Sequence, residues 1–218
     1  MRLVINGEMY YPKDFLSVVE KENYSHLITK IVLNKVCRHI KQLSNENYNF
    51  DKISVNLSTE DLLIDDGYKT FIHIVEKQNG LTFDKIAFEI LENTNKVGFE
   101  PLVKTMIALK SVTDVDFYLD DFGTGYSNLS RLLSLPISLV KFDKSILRNI
   151  RTNPVLNATV RSNVETLMQQ GYKVLFEGVE NQSDIEICQK MGIDYYQGYI
   201  YTKPGDFSIL KKYFEKLG

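Results

Sequence analysis

The chain has 218 residues, of which 44% are hydrophobic and 25% charged, enough apolar content for one substantial core and short of what two ordinary domains need. A formal net charge of −2 and a pI near 6.0 exclude the basic field that holds duplex nucleic acid by its phosphates, so no duplex partner is expected and an anionic substrate must be held locally. Two distant cysteines (Cys37, Cys188) and three histidines without ligand spacing (His26, His39, His73) suggest neither a disulfide framework nor a zinc site.

No apolar run approaches the ~20 residues that span a bilayer and no signal-peptide pattern opens the chain, so the expected location is cytoplasmic. In chain order, His26 to Leu43 carries Leu27, Ile31, Ile40 and Leu43 at helical intervals, with Ser25 as the expected N-cap. Then come Lys52 to Leu57 (KISVNL), which reads as a strand, a helix capped by Ser58, and a second strand, Lys85 to Leu91 (KIAFEIL). Pro101 marks the first turn of the next helix, and Val115 to Leu119 (VDFYL) and Ser138 to Phe142 (SLVKF) are further strands. Asn153-Pro154 repeats the helix-start signature and precedes a strand at Lys173 to Phe176 (KVLF). A helix from Asp184 to Met191 after Ser183, a last strand at Tyr195 to Tyr201 (YYQGYIY) and an amphipathic helix from Asp206 to Leu217 complete the pattern.

Strands apolar nearly throughout suit a parallel sheet buried on both faces, and the βα alternation predicts an α/β barrel or a doubly wound sheet. No linker or low-complexity stretch interrupts it, so one domain over 1–218 is expected. A complete eight-unit barrel takes ~250 residues. The shortfall of one or two units is expected at the N-terminus, because the first recognisable strand follows a helix.

Polar groups stand where each apolar run stops: Asn56, Glu89 with Glu92, Asp120 with Asp121, Lys141 with Asp143, Glu177 with Glu180, and Gln197. In a parallel barrel these strand ends converge on one mouth. Carboxylates gathered there would raise one another's pKa unless a cation neutralised them, and an all-oxygen set suits a hard divalent metal. Taken singly, Asn56 reads as a turn former, Glu89 and Glu92 as a solvated edge, Lys141 as a snorkelling surface lysine and Glu177 as its salt-bridge partner. The coincidence of all of them at strand ends favours a functional reading.

The stretch YLDDFGTGYSNL (118–129) sets two aspartates before two glycines, and Gly123 and Gly125 permit the sharp turn that lets both aspartates face one ion. Position 128 is Asn, so no dinucleotide fingerprint forms, and Asp-Phe-Gly at 121–123 lacks the other protein-kinase motifs.

SVNLS (54–58), FEILEN (88–93), DDFGTGYSNL (120–129), VKFD (140–143), FEGVE (176–180) and QGYIYTKP (197–204) together resemble the EAL-domain phosphodiesterases, which hydrolyse the bacterial second messenger cyclic di-GMP. They stand in that family's order with similar spacing over nearly the whole chain. The resemblance implies a modified TIM (β/α)8 barrel of EAL type, missing its first strand and part of the second, that opens cyclic di-GMP to linear pGpG with one or two Mg²⁺ or Mn²⁺ ions.

By motif match, Asn56, Glu89 and Asp120 would bind one metal and Asp120, Asp121 and Glu177 the second. Lys141 would hold the attacking water or a phosphate oxygen, Glu177, Glu180 and Gln197 would complete the catalytic set, and Arg2, Asp143 and Gln197 would contact substrate. Glu92, Gly123 and Gly125 would anchor the loop. The resemblance also implies a homodimer and a sensory domain ahead of this one in a longer parent. The sequence holds no Glu-Ala-Leu triplet; Arg2 and Pro12-Lys13-Asp14-Phe15 look like the elements that follow it, so Met1 is expected to lie just after the signature glutamate. A natural short form that senses cyclic di-GMP or docks a protein without turnover is the alternative, and a barrel glycosidase using Glu89 and Glu177 is a third reading.

Overall fold

Asn6 and Gly7 both take positive φ, 51° and 82°, the torsions of a tight hairpin turn. They join β1 (Leu3–Ile5) to β2 (Glu8–Tyr10) in an antiparallel pair that sets Leu3 opposite Tyr10 and Ile5 opposite Glu8. This hairpin corrects the expectation that strands begin only after a helix; Asn-Gly flanked by apolar residues is the signal for it. The structure is a computed structural model that describes residues 3–22, 24–64, 67–78, 81–91, 98–124, 129–193 and 195–217.

Helix α1 (Pro12–Lys21) starts on a proline whose missing N–H needs no partner, and the Asp14 carboxylate accepts the Tyr11 N–H at 2.7 Å. Helix α2 (Ser25–Asn45) buries Thr29, Leu33, Cys37, Ile40 and Leu43, one stripe at intervals of three and four. Two expectations are corrected here. Leu27 and Ile31 face outward, and Tyr24, with no side-chain cap bond, precedes the helix while Ser25 is already inside it.

The next elements are β3 (Ile53–Asn56), α3 (Thr59–Leu63), α4 (Gly67–Glu76), β4 (Ile86–Leu91), α5 (Phe99–Val112), β5 (Asp116–Phe122) and α6 (Leu129–Leu132). They are followed by β6 (Leu139–Phe142), α7 (Lys144–Ile150), α8 (Pro154–Gln169), β7 (Lys173–Glu177), α9 (Gln182–Lys190), β8 (Tyr195–Gln197) and α10 (Phe207–Leu217). Ser58 precedes α3 as expected, but its hydroxyl bonds the Glu60 carboxylate rather than a helix N–H. Asn153 caps α8 by accepting the Leu156 N–H at 3.0 Å, with Pro154 in the first turn. The cap of α9 is Asn181, in a reciprocal box with Asp184, rather than Ser183.

The larger sheet has the order β3-β4-β5-β6-β7-β8. A doubly wound sheet reverses its strand order partway; here sheet order and chain order coincide, which is the winding of a barrel wall. By contacts the chain divides into two compact units, Met1–Ala87 with Lys96–Val115 and Phe88–Asn95 with Asp116–Gly218. In the first, a hydrogen bond from the Thr29 hydroxyl to the Asp61 carboxylate at 2.6 Å ties α2 to α3. In the second, β5 to β8 pair in parallel, with Leu139 opposite Lys173, Phe142 opposite Phe176 and Glu177 opposite Gln197.

Strand alternation gives these strands two different faces. Phe117, Leu119, Phe122, Val140, Phe142, Val174 and Phe176 are all buried, and the Phe142 ring stacks on Phe176 at 4.8 Å and meets Phe122 edge-on at 5.0 Å. The opposite face carries Asp120, Lys141, Glu177 and Gln197. Burial on both faces therefore holds for β6 alone of these four, since β5, β7 and β8 are partly exposed. No helix among the described residues is long and apolar enough to cross a membrane.

Candidate metal and catalytic site

Two neighbouring residues of a regular strand point to opposite faces, so Asp120 and Asp121 share a site only if the strand is interrupted. It is. Leu119 lies opposite Val140 and Phe122 opposite Phe142, three steps on β5 against two on β6. The extra residue is a β-bulge, and Asp121 within it has φ 55°, a left-handed conformation that Asp adopts more readily than most residues. Leu119 and Phe122 both remain buried on either side of it, and the two carboxylates come out together. With Glu177 from the end of β7, they bring three carboxylate oxygens within 4.8 Å of one another.

Lys141 joins this group from β6. Its ammonium lies 2.7 Å from Glu177, 2.8 Å from Asp120 and 3.0 Å from Glu89, and the lysine is only 3% exposed. Burial alone would lower its pKa; the three carboxylates more than reverse that and hold it above its ordinary value. The surface-lysine reading is thereby excluded, while the pairing of Glu177 with Lys141 is real. Burial raises the Glu177 carboxyl, partly offset by Lys141, and Asp120 and Asp121 push it further. Asp121 is likewise raised, by burial first and then by the charges of Asp120 and Asp143.

Gly123 follows the bulge with φ 92°, and a β-carbon there would press on Ile146 at 3.2 Å. Asp143 caps α7, accepting the Ser145 N–H at 2.8 Å; burial acts to raise its pKa, but these hydrogen bonds outweigh it and the net shift is downward. Glu180 is exposed and stands 3.5 Å from Arg148, and Gln197 is exposed at the end of β8. Asn56 is an exposed residue closing β3 in the other compact unit. Arg2, Glu92 and Gly125 lie outside the described residues.

Two supports escaped sequence reasoning. The Val179 N–H donates to the Gln197 carbonyl at 3.0 Å and the Ile200 N–H to the Val179 carbonyl at 3.1 Å, and a β-carbon on Gly198 would fall on the Val179 main chain. An isolated glycine inside the aromatic run YYQGYIY is a signal of such close approach. Asp184 is fully buried, accepts the Glu180 N–H at 2.9 Å and pairs with Arg151, so it fixes the far end of the segment that begins at Glu177.

The donor set is all oxygen, and Asp120 Oδ1 is a buried atom that accepts no directed hydrogen bond among the described residues, facing only the Lys141 charge. Asp120, Asp121 and Glu177 thus fit a hard divalent cation.

A family model described as "EAL domain" matches residues 1–204. Cyclic di-GMP phosphodiesterase PdeR of Escherichia coli (strain K12) is 27% identical over 205 residues, covering 94% of this chain and 31% of PdeR. The chain thus spans about a third of that relative's length. Among solved structures, an EAL domain protein from Listeria monocytogenes EGD-e is 27% identical at a TM-score of 0.84, covering 99% of this chain and 83% of that one. The PaMucR phosphodiesterase in complex with c-di-GMP has a TM-score of 0.86 at 24% identity, covering 96% and 84%.

Proposed function

From the premise that this chain belongs to the EAL domain family, we propose that it is a cyclic di-GMP phosphodiesterase domain, hydrolysing the cyclic dinucleotide to linear pGpG with Mg²⁺ or Mn²⁺. The observation that carries this reading is the convergence of Asp120, Asp121 and Glu177 beside Lys141. Those three carboxylates would hold one cation; Glu89 and Asp120, with Asn56, would be the donors for a second. Divalent ions held by these residues would supply a lowered pKa for a bound water and positive charge against the phosphodiester.

The chain's own residues supply the rest. The bulge holds Asp120 and Asp121 side by side, Asp184 and Gly198 hold the segment from Glu177 to Glu180, and Lys141 offers an ammonium to a phosphate oxygen or the attacking water. Gln197 and Glu180 would order the rim, Asp143 and Arg2 would contact the nucleotide, and Glu92, Gly123 and Gly125 would anchor the loop. On the same reading, residues 1–218 act as one EAL-type domain, cytoplasmic, homodimeric and governed by a sensory domain of a longer parent.

The test is chromatography of cyclic di-GMP incubated with the protein and Mn²⁺. Release of pGpG that stops with a chelator supports the assignment. Nucleotide that binds in calorimetry and is recovered intact makes the chain a sensor or interaction module instead.

A further inference from the structure

Four carboxylates, Glu89, Asp120, Asp121 and Glu177, reach one end of β4, β5 and β7, and oxygens of the last three lie within 4.8 Å of one another. Such a cluster opposes folding unless positive charge enters it. The Lys141 ammonium pairs with Glu89, Asp120 and Glu177, one oxygen each, at distances of 3.0, 2.8 and 2.7 Å. A buried ammonium held by three carboxylates is turned toward them and not toward a phosphate or a water. Two of its three partners, Asp120 and Glu177, are also members of the set that could hold an ion, while the third member, Asp121, is not among its ion-pair partners.

We propose that Lys141 is the resident counter-cation of this site. In the metal-free protein it holds Glu89, Asp120 and Glu177 at ligand spacing, and it yields the Asp120 and Glu177 oxygens when a divalent ion enters on the Asp121 side. Its ammonium is thereby released toward substrate, so ion binding and exposure of the catalytic lysine are one event. A fold that already contains its own cation does not need the metal to assemble. The inference rests on the metal-dependent reading above.

The test uses the full chain and two readouts that require no turnover: melting temperature in chelator and in excess Mn²⁺, and Mn²⁺ affinity by calorimetry. Lys141→Met leaves the carboxylates uncompensated, so in chelator it should melt lower by at least about 5 °C, with Mn²⁺ restoring most of the loss. Its Mn²⁺ affinity should rise roughly tenfold or more, because a competing positive charge has gone. Lys141→Met combined with Glu89→Gln removes one negative charge with the positive one and should recover part of the stability in chelator.

Wild-type melting and wild-type affinity in Lys141→Met would overturn the counter-cation role. So would failure of both variants to fold even with Mn²⁺, since the ion is held here to replace the lysine. Absence of Mn²⁺ binding by the wild type overturns the metal-dependent reading itself, a different result from either.

Discussion

Replacing Gly198 with alanine would set a methyl group onto the main chain of Val179, against its nitrogen, carbonyl carbon and oxygen. Main chain cannot rotate aside as the end of a flexible side chain can, so the 177–180 segment and the turn after β8 must separate. Two backbone hydrogen bonds then stretch or break, Val179 N–H to Gln197 and Ile200 N–H to Val179. At about 0.5–1.5 kcal/mol each, their loss amounts to about 1–3 kcal/mol before any steric strain. For a chain of this length that lowers the melting temperature by roughly 2–12 °C.

The consequence for chemistry is larger, because Val179 lies between Glu177, which supplies a carboxylate to the site, and Glu180, whose N–H is anchored on Asp184. A displacement of about 1 Å at a reacting centre can reduce the rate about a hundredfold. Calorimetric melting together with pGpG release under saturating Mn²⁺ measures both effects. If Gly198→Ala melts within about 1 °C of the wild type and turns over normally, the reasoning from close approach is wrong.

Phe176 is fully buried and stacked on Phe142, so Phe176→Ala should destabilise by about 3–5 kcal/mol in urea melts, with Phe176→Leu losing distinctly less. Asp121→Asn keeps a residue tolerant of the left-handed conformation while removing a charge; Mn²⁺ affinity should fall at least about tenfold with the metal-free melting temperature held or raised. Burial raises the Asp61 carboxyl above 3.8, against the hydrogen bond from Thr29. Its folded pKa thus exceeds the unfolded one, so its contribution to stability is full below the ordinary carboxylate range and is lost as pH rises through the folded value. Asp61→Asn still accepts from Thr29 and carries no charge, so near pH ~7 it should melt at or above the wild type, and the difference should vanish toward pH ~3.5.

The six strands of the main sheet were legible because each is a short apolar run ended by a polar residue, and that pattern survives whatever the helices do. The helix starts were less so. Ser25, Ser58 and Ser183 have capping chemistry, yet Tyr24 precedes α2, Ser58 bonds Glu60 instead of a helix N–H, and Asn181 wins α9 because its carboxamide and Asp184 satisfy each other. The bulge in β5 could not be read from alternation, since a single added residue changes which side chains share a face without altering the apolar character of the run. At the candidate site, residue types singled out Glu89, Asp120, Asp121, Lys141 and Glu177, which the structure brings together. Composition has no means of showing that one ammonium would be divided among Glu89, Asp120 and Glu177, because that depends on four strands far apart in the chain meeting in register.

The left-handed torsion at Asp121 makes position 121 a filter on substitution as well as a source of charge. A saturation library at that codon, sorted only for correctly folded protein, would return Asp, Asn and Gly and discard Val, Ile and Thr, whose branched β-carbons resist that torsion. Glutamate, which would keep the charge, would be thinned out for the same reason. Asparagine is therefore the one replacement that isolates electrostatics from shape at this position, and a conservative-looking exchange of one acid for another is the more disruptive choice.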